Sequence, residues 1–196
     1  MTTTQLHLCG RCVIDPPPFD SCNVIFNYEA PISRLIAQFK YKANFAYGKV
    51  LTTLLVEKFI AHYETQIKVN NLPGLPQQLI PVPLHRRRLR ERGFNQAGEI
   101  ARLLSKETTV QVNKNLIFRI KDTSAQSQLG ASKRTKNLKY AFKLNEVALE
   151  AQVKHIAIVD DVVTTMATVS AITRLLKSAG IERVDIWAIA RATLHT

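Results

Sequence analysis

The chain has 196 residues, is 46% hydrophobic, and carries 27 Lys+Arg against 15 Asp+Glu, a formal net charge of +12. That length suits one domain, or one domain with a small appendage, and with no run of about 18 apolar residues no membrane span is expected. The charge is concentrated in residues 80–143, which hold fifteen Lys/Arg and four Asp/Glu; such a field suits a diphosphate or a nucleic acid equally, or is simply a solvated basic surface.

Met1 to Gln5 has neither a basic nor an apolar signal region, so the expected compartment is the cytosol. Cys9-Gly10-Arg11-Cys12 is a C-x-x-C pair, half of the four ligands a structural zinc site needs, and Cys22 is the only other cysteine. Pro16-Pro17-Pro18 reads as an extended linker. Residues 23–29 alternate as a strand. Pro31 opens a helix with Leu35, Ile36 and Phe39 on its apolar stripe, and residues 48–68 form a longer helix with Leu51, Leu54, Leu55, Phe59 and Tyr63 on one side. Pro73, Gly74 and Pro76 mark a loop.

Leu79 to Pro83 reads as a short strand ending at a proline-constrained turn, after which come His85, Arg86, Arg87, Arg88, Arg90 and Arg92. A helix holding Ile100, Leu103 and Leu104 follows, then a candidate strand over 116–120 and a polar, basic loop over 121–137. Near the C-terminus Ile156-Ala157-Ile158-Val159 suits a buried parallel strand, and it runs straight into Asp160-Asp161 and the turn containing Thr164, Thr165, Met166, Ala167 and Thr168. The next helix buries Val169, Ile172, Leu175, Leu176 and Ala179 and stops at Gly180; Val184, Ile186, Ala188 and Ala190 alternate along a last strand. Strands alternating with helices predict an α/β fold, a mostly parallel sheet flanked by helices.

The stretch around Asp160 carries the most chemistry. An acid pair at a strand's carboxyl end lies where open α/β sheets bind ligands, and a hydroxyl-rich turn that opens a helix offers free N–H groups to a phosphate. Acids that grip sugar hydroxyls beside a phosphate cup point to a ribose 5-phosphate ligand. The plain alternative is a strand-turn-helix with an N-capping threonine. No Ser-His-Asp set or H-E-x-x-H is present to support hydrolysis.

This segment closely resembles the phosphoribosyl diphosphate (PRPP) signature of type I phosphoribosyltransferases. The resemblance implies that Asp160 and Asp161 are the catalytic pair, binding the ribose hydroxyls, and that Thr164, Thr165, Met166, Ala167 and Thr168 wrap the 5′-phosphate. Met166 stands where that family usually has glycine. Three further segments, PVPLHRRRLRERGFNQA at 81–97, RIKDTSAQSQL at 119–129 and RTKNLKYAF at 134–142, look like successive segments of the competence protein F family. The Cys9–Cys12 knuckle is similar to the end of that family's zinc-binding region, whose other cysteines would precede Met1. Residues 1–22 are therefore expected to be a remnant of that region, with Zn²⁺ at Cys9 and Cys12 left incomplete, and 23–196 a phosphoribosyltransferase-like domain.

By that resemblance Leu84, His85 and Arg86 form a pyrophosphate loop, and Arg119, Lys121, Thr123 and Gln126 belong to a flexible hood that closes over the substrate. The implied reaction displaces diphosphate from C1 of PRPP, with Mg²⁺, by a nitrogen nucleophile that the sequence does not name. The resemblance also implies a role in DNA uptake during natural transformation. An alternative reading is a catalytically weak protein that binds single-stranded DNA through Arg86, Arg87, Arg88, Arg90 and Arg92 and works with a helicase-like competence protein.

Overall fold

A computed structural model describes residues 15–42, 44–70, 74–122, 138 and 140–192, with the side chains of 62–70 excepted. Cys9, Cys12, Thr123 and Gln126 lie outside the described residues, as does the side chain of Tyr63.

The elements run in order β1 (Ser21–Asn27), α1 (Ile32–Lys42), α2 (Phe45–Asn70), β2 (Gln78–Pro81), α3 (Arg86–Arg92), α4 (Gln96–Thr108), β3 (Gln111–Val112), β4 (Ile117–Arg119), β5 (Phe142–Leu144), β6 (His155–Val163), α5 (Ala167–Ser178) and β7 (Arg183–Arg191). Five strands form one sheet in the order β1-β7-β6-β2-β3, and every pairing in it is parallel. The remaining two, β4 and β5, make a small antiparallel pair, Ile117 opposite Leu144 and Arg119 opposite Phe142. The expected α/β architecture is therefore present.

Two-residue alternation sends successive side chains to opposite faces of a strand. In β6 and β7 this fills two cores. Ile156, Ile158, Val184 and Ile186 join α5 and the β4–β5 pair on one face. Ala157, Val159, Trp187 and Ile189 join α1, α2 and α4 on the other. Covering on both faces explains why β7 is buried continuously from Val184 to Ala190, where the sequence suggested simple alternation.

Several expectations are corrected. Leu54 does not share the buried side of α2 with Leu51, Leu55 and Phe59; it is 39% exposed. The arginine-rich stretch after Pro83 is a helix, α3, although it buries no side chain. Its only apolar residue is Leu89, so no stripe announces it. It is held by its ends: His85 accepts a hydrogen bond from the Arg87 N–H, and Gly93 closes it with φ 81°, its N–H donating to the Leu89 carbonyl. β6 does not stop at Val159 but continues to Val163, because β7 pairs with it as far as Val163–Arg191. β1 takes in Ser21 and Cys22, paired with Asp185 and Ile186.

The sheet order creates a crevice. From β2 the chain moves outward through α3 and α4 to β3; from β6 it moves the opposite way through α5 to β7. Neighbouring strands whose connections diverge to opposite faces leave a cleft at their carboxyl ends, the usual ligand position of open parallel sheets. Here that cleft lies between β2 and β6.

Candidate functional site

The acid pair stands in this crevice because β2 is short. Pro81 and Pro83 have no N–H to extend the ladder, and the last bond across the cleft is donated by Val82 to the Val159 carbonyl, 2.9 Å. β6 carries on past that point with Asp160 and Asp161, braced by β7 on its other edge. Consecutive strand residues face opposite ways, so the two acids meet different surroundings.

Asp161 is buried and ion-paired to Lys40 of α1, Nζ to Oδ2 2.8 Å. Asp160 is half-buried, and its Oδ1 accepts a hydrogen bond from the Asp161 N–H at 2.9 Å. Burial, followed by the adjacent Asp161 charge, pushes the Asp160 carboxyl up to about 7; Lys40 and Arg119 pull against that rise. The two carboxylates are thus unequal: one is neutralised internally, the other is poised to change charge near neutral pH. Lys40 was not among the residues singled out from the sequence. Its cue is its spacing, four residues after the buried Ile36, which puts a lysine on the inward stripe of α1.

Past Val163 the chain turns into α5. Met166 occupies the N-cap position with φ 61° and ψ 2°, the left-handed region, and makes no side-chain cap. A methionine there costs about 1–2 kcal/mol in backbone strain. Its side chain packs against the core beside α5. The N-capping threonine of the plain alternative is absent: the nearest approach is a long 3.5 Å bond from the Ala167 N–H to Thr165 Oγ1. With no acid in its first turn and no proper cap, α5 presents unsatisfied N–H groups and the positive end of its dipole at the Thr164–Thr168 turn. This is a ready anion site.

Across the crevice, the turn after β2 brings in Leu84, His85 and Arg86. Asn95, unnoticed in the sequence, donates its side-chain N–H to the Val82 carbonyl at 3.0 Å and so fastens α4 to the end of β2. Asp122 stands between the groups of that turn: Arg87 pairs with it at 2.7 Å, and the His85 ring lies 3.9 Å away. Arg119, at the end of β4, is half-buried, and burial lowers its guanidinium below the ordinary value; Asp122, Arg88 and Asp160 all act on it electrostatically. Of the described part of the expected hood, Arg119 acts electrostatically on both Asp160 and Asp122, whereas Lys121 lies over the Tyr140 ring, 5.6 Å from its centre. Of the arginine run, Arg87 also pairs with Glu91 at 3.5 Å, and Arg92 donates to Gln96 at 2.6 Å. Arg86 and Arg90 are exposed and Arg88 is half-buried.

Among the described residues no group of three or more His, Cys, Asp or Glu could hold a metal. The crevice does suit a cation carried in by an anionic ligand. A carboxyl held up near 7 by burial and by a neighbouring like charge gains from a cation, and Mg²⁺ prefers to keep water and phosphate oxygens around one or two carboxylates. Asp160 is the available carboxylate, since Asp161 already has Lys40.

Among the described residues no helix is long and apolar enough to cross a membrane. No family model matches the chain. Individual relatives do. The chain is 36% identical to competence protein F of Haemophilus influenzae over 184 residues, 94% of this chain and 78% of that one. It is also 36% identical to the DNA utilization protein YhgH of Escherichia coli over 193 residues, 97% of this chain and 81% of the relative. Competence protein ComFC of Streptococcus pneumoniae matches at 25% identity over 171 residues, 87% of this chain and 68% of its own. With such identity sustained across nearly its whole length, the chain belongs to the competence protein F family.

Proposed function

We propose that the crevice between β2 and β6 binds PRPP or ribose 5-phosphate, accompanied by Mg²⁺, and that the protein serves in the uptake or use of DNA. The observation that carries the first part is the placement of a half-buried carboxyl with a raised pKa and an uncapped helix N-terminus at one topological switch point. Ionised Asp160 accepts hydrogen bonds from the ribose hydroxyls, while Asp161, fixed by Lys40, holds that end of β6 in place. The N–H groups and threonines of the 164–168 turn take the 5′-phosphate. Leu84, His85 and Arg86 face the diphosphate, where a guanidinium pairs well with phosphate oxygens. The names of the relatives, a competence protein and a DNA utilization protein, support the second part.

As a pentosyl transferase the site has little covalent work to do. It positions the sugar, excludes water and offers Arg86 and Arg119 to the departing diphosphate. Mg²⁺ would add neutralising charge on that leaving group. Calorimetric titration of Mg²⁺–PRPP is the test. Wild type should bind, Asp160→Ala should lose at least tenfold in affinity, and Thr165→Val should lose less. Equal affinity for wild type and Asp160→Ala overturns the proposal.

A further inference from the structure

Beside the crevice runs a groove of about 1210 Å³, walled by α3, α4, the turn after β2 and the β4–β5 pair. Small-ligand sites occupy roughly 300–1,000 Å³, so this groove has room for more than one sugar phosphate. Its apolar floor is unusual for a surface. Leu89, Phe118 and Ile120 all line it and are 42%, 45% and 53% exposed. Its rim is cationic: Arg86, Lys106, Lys114 and Lys143 line it and have no ion-pair partner among the described residues. The single acid lining it, Glu99, is bonded to Arg102 at 3.0 Å. Phe118 sits directly opposite Lys143 across the antiparallel pair, which puts an aromatic face and a cation side by side.

We infer that this groove binds a single-stranded nucleic acid, with bases against the Leu89–Phe118–Ile120 floor, Phe118 stacking on one of them, and phosphates along the lysine rim. An exposed aromatic floor inside a cationic groove matches unpaired bases, whose faces are free to stack. A duplex hides those faces and uses only the cations. The arginine run contributes little to this surface. Arg86 alone of the five lines the groove, while Arg87 is engaged by Asp122 and Glu91 and Arg92 by Gln96. The inference rests on the DNA-handling role proposed above; the groove shares Leu84, His85, Arg86 and Arg119 with the diphosphate end of the proposed ribose-phosphate site, while its apolar floor and its lysines lie outside that site.

Fluorescence anisotropy of a labelled oligothymidylate, measured on the full chain across a salt series, tests it. Phe118→Ala should weaken binding roughly tenfold. Lys114→Gln with Lys143→Gln should flatten the plot of log affinity against log salt by about 1.4, the share of two phosphate contacts on a single strand. Arg87→Gln with Arg90→Gln should change that slope far less. All these positions are exposed, and thermal melts and Mg²⁺–PRPP titration should match wild type. Asp160→Ala should retain the strand, so that failure of the sugar-phosphate site is seen separately. Unaltered binding by both Phe118→Ala and the lysine pair overturns the inference. So does a loss carried by Arg87 and Arg90, displacement by polyglutamate as readily as by unlabelled strand, or no binding by wild type.

Discussion

The two ends of the central strands treat a buried acid in opposite ways. At the amino end, Asp185 of β7 is fully buried and fully engaged: His155 lies 2.8 Å from it, Ser21 donates at 2.8 Å and Arg183 approaches to 3.2 Å. At the carboxyl end, Asp160 has one backbone hydrogen bond, a like charge beside it, and a carboxyl raised to about 7. The first arrangement serves the fold. The second spends stability on a group that a ligand can complete. A buried acid thus marks a site by what it lacks.

The comparison breaks first at Asp185. Asp185→Ala should destabilise the protein by about 3–5 kcal/mol, since it strands His155 and Arg183 without their partner. Urea unfolding would show this, while binding of Mg²⁺–PRPP to the folded fraction should survive. Lys40→Met is next. It leaves Asp161 buried without its cation, at about 2–3 kcal/mol in the same assay, and removes a charge that holds Asp160 down, so the Asp160 carboxyl should rise further.

Asp160→Asn should do the reverse and stabilise the fold. The folded carboxyl keeps its proton between the unfolded value near 3.8 and about 7, so over that window the unfolded state binds fewer protons. Wild-type stability therefore falls as pH rises through the window and levels off above it. Asp160→Asn should remove that slope and gain on the order of 2 kcal/mol at alkaline pH. Denaturation at several pH values would show it. The smallest effect belongs to Met166→Gly. Relief of the left-handed backbone and loss of the methionine's packing nearly offset, giving a change within about 1 kcal/mol. Because that side chain packs on the core, sugar-phosphate affinity should move less than threefold by calorimetry.

What the sequence made legible was local. Ile156 to Val159 followed by two acids and a threonine-rich turn needed no partner to be read, and the helix after Met166 carried its own periodicity. What it hid depended on distance or on neighbours. Lys40 meets Asp161 only through the fold. Asp185 interrupts an apolar strand for a reason visible only when His155 and Ser21 arrive beside it. α3 has no apolar stripe, and while the candidate strand at 116–120 is found as β4, its three-residue partner β5 and their pairing lie across a long polar stretch that no pattern spans. The unequal state of the two acids was likewise invisible. It follows from consecutive side chains facing opposite sides of β6, one toward Lys40 and one toward the crevice.

The most direct measurement is the affinity of ribose 5-phosphate by calorimetry from about pH 6 to about pH 8, on wild type and on Asp160→Asn. Ionised Asp160 accepts hydrogen bonds from the sugar with both oxygens and more strongly than the protonated form, so wild-type affinity should climb relative to the variant as pH passes about 7. The gap should approach tenfold. Parallel pH profiles for the two proteins would contradict the account, because they would mean that the poised carboxyl does not meet the sugar.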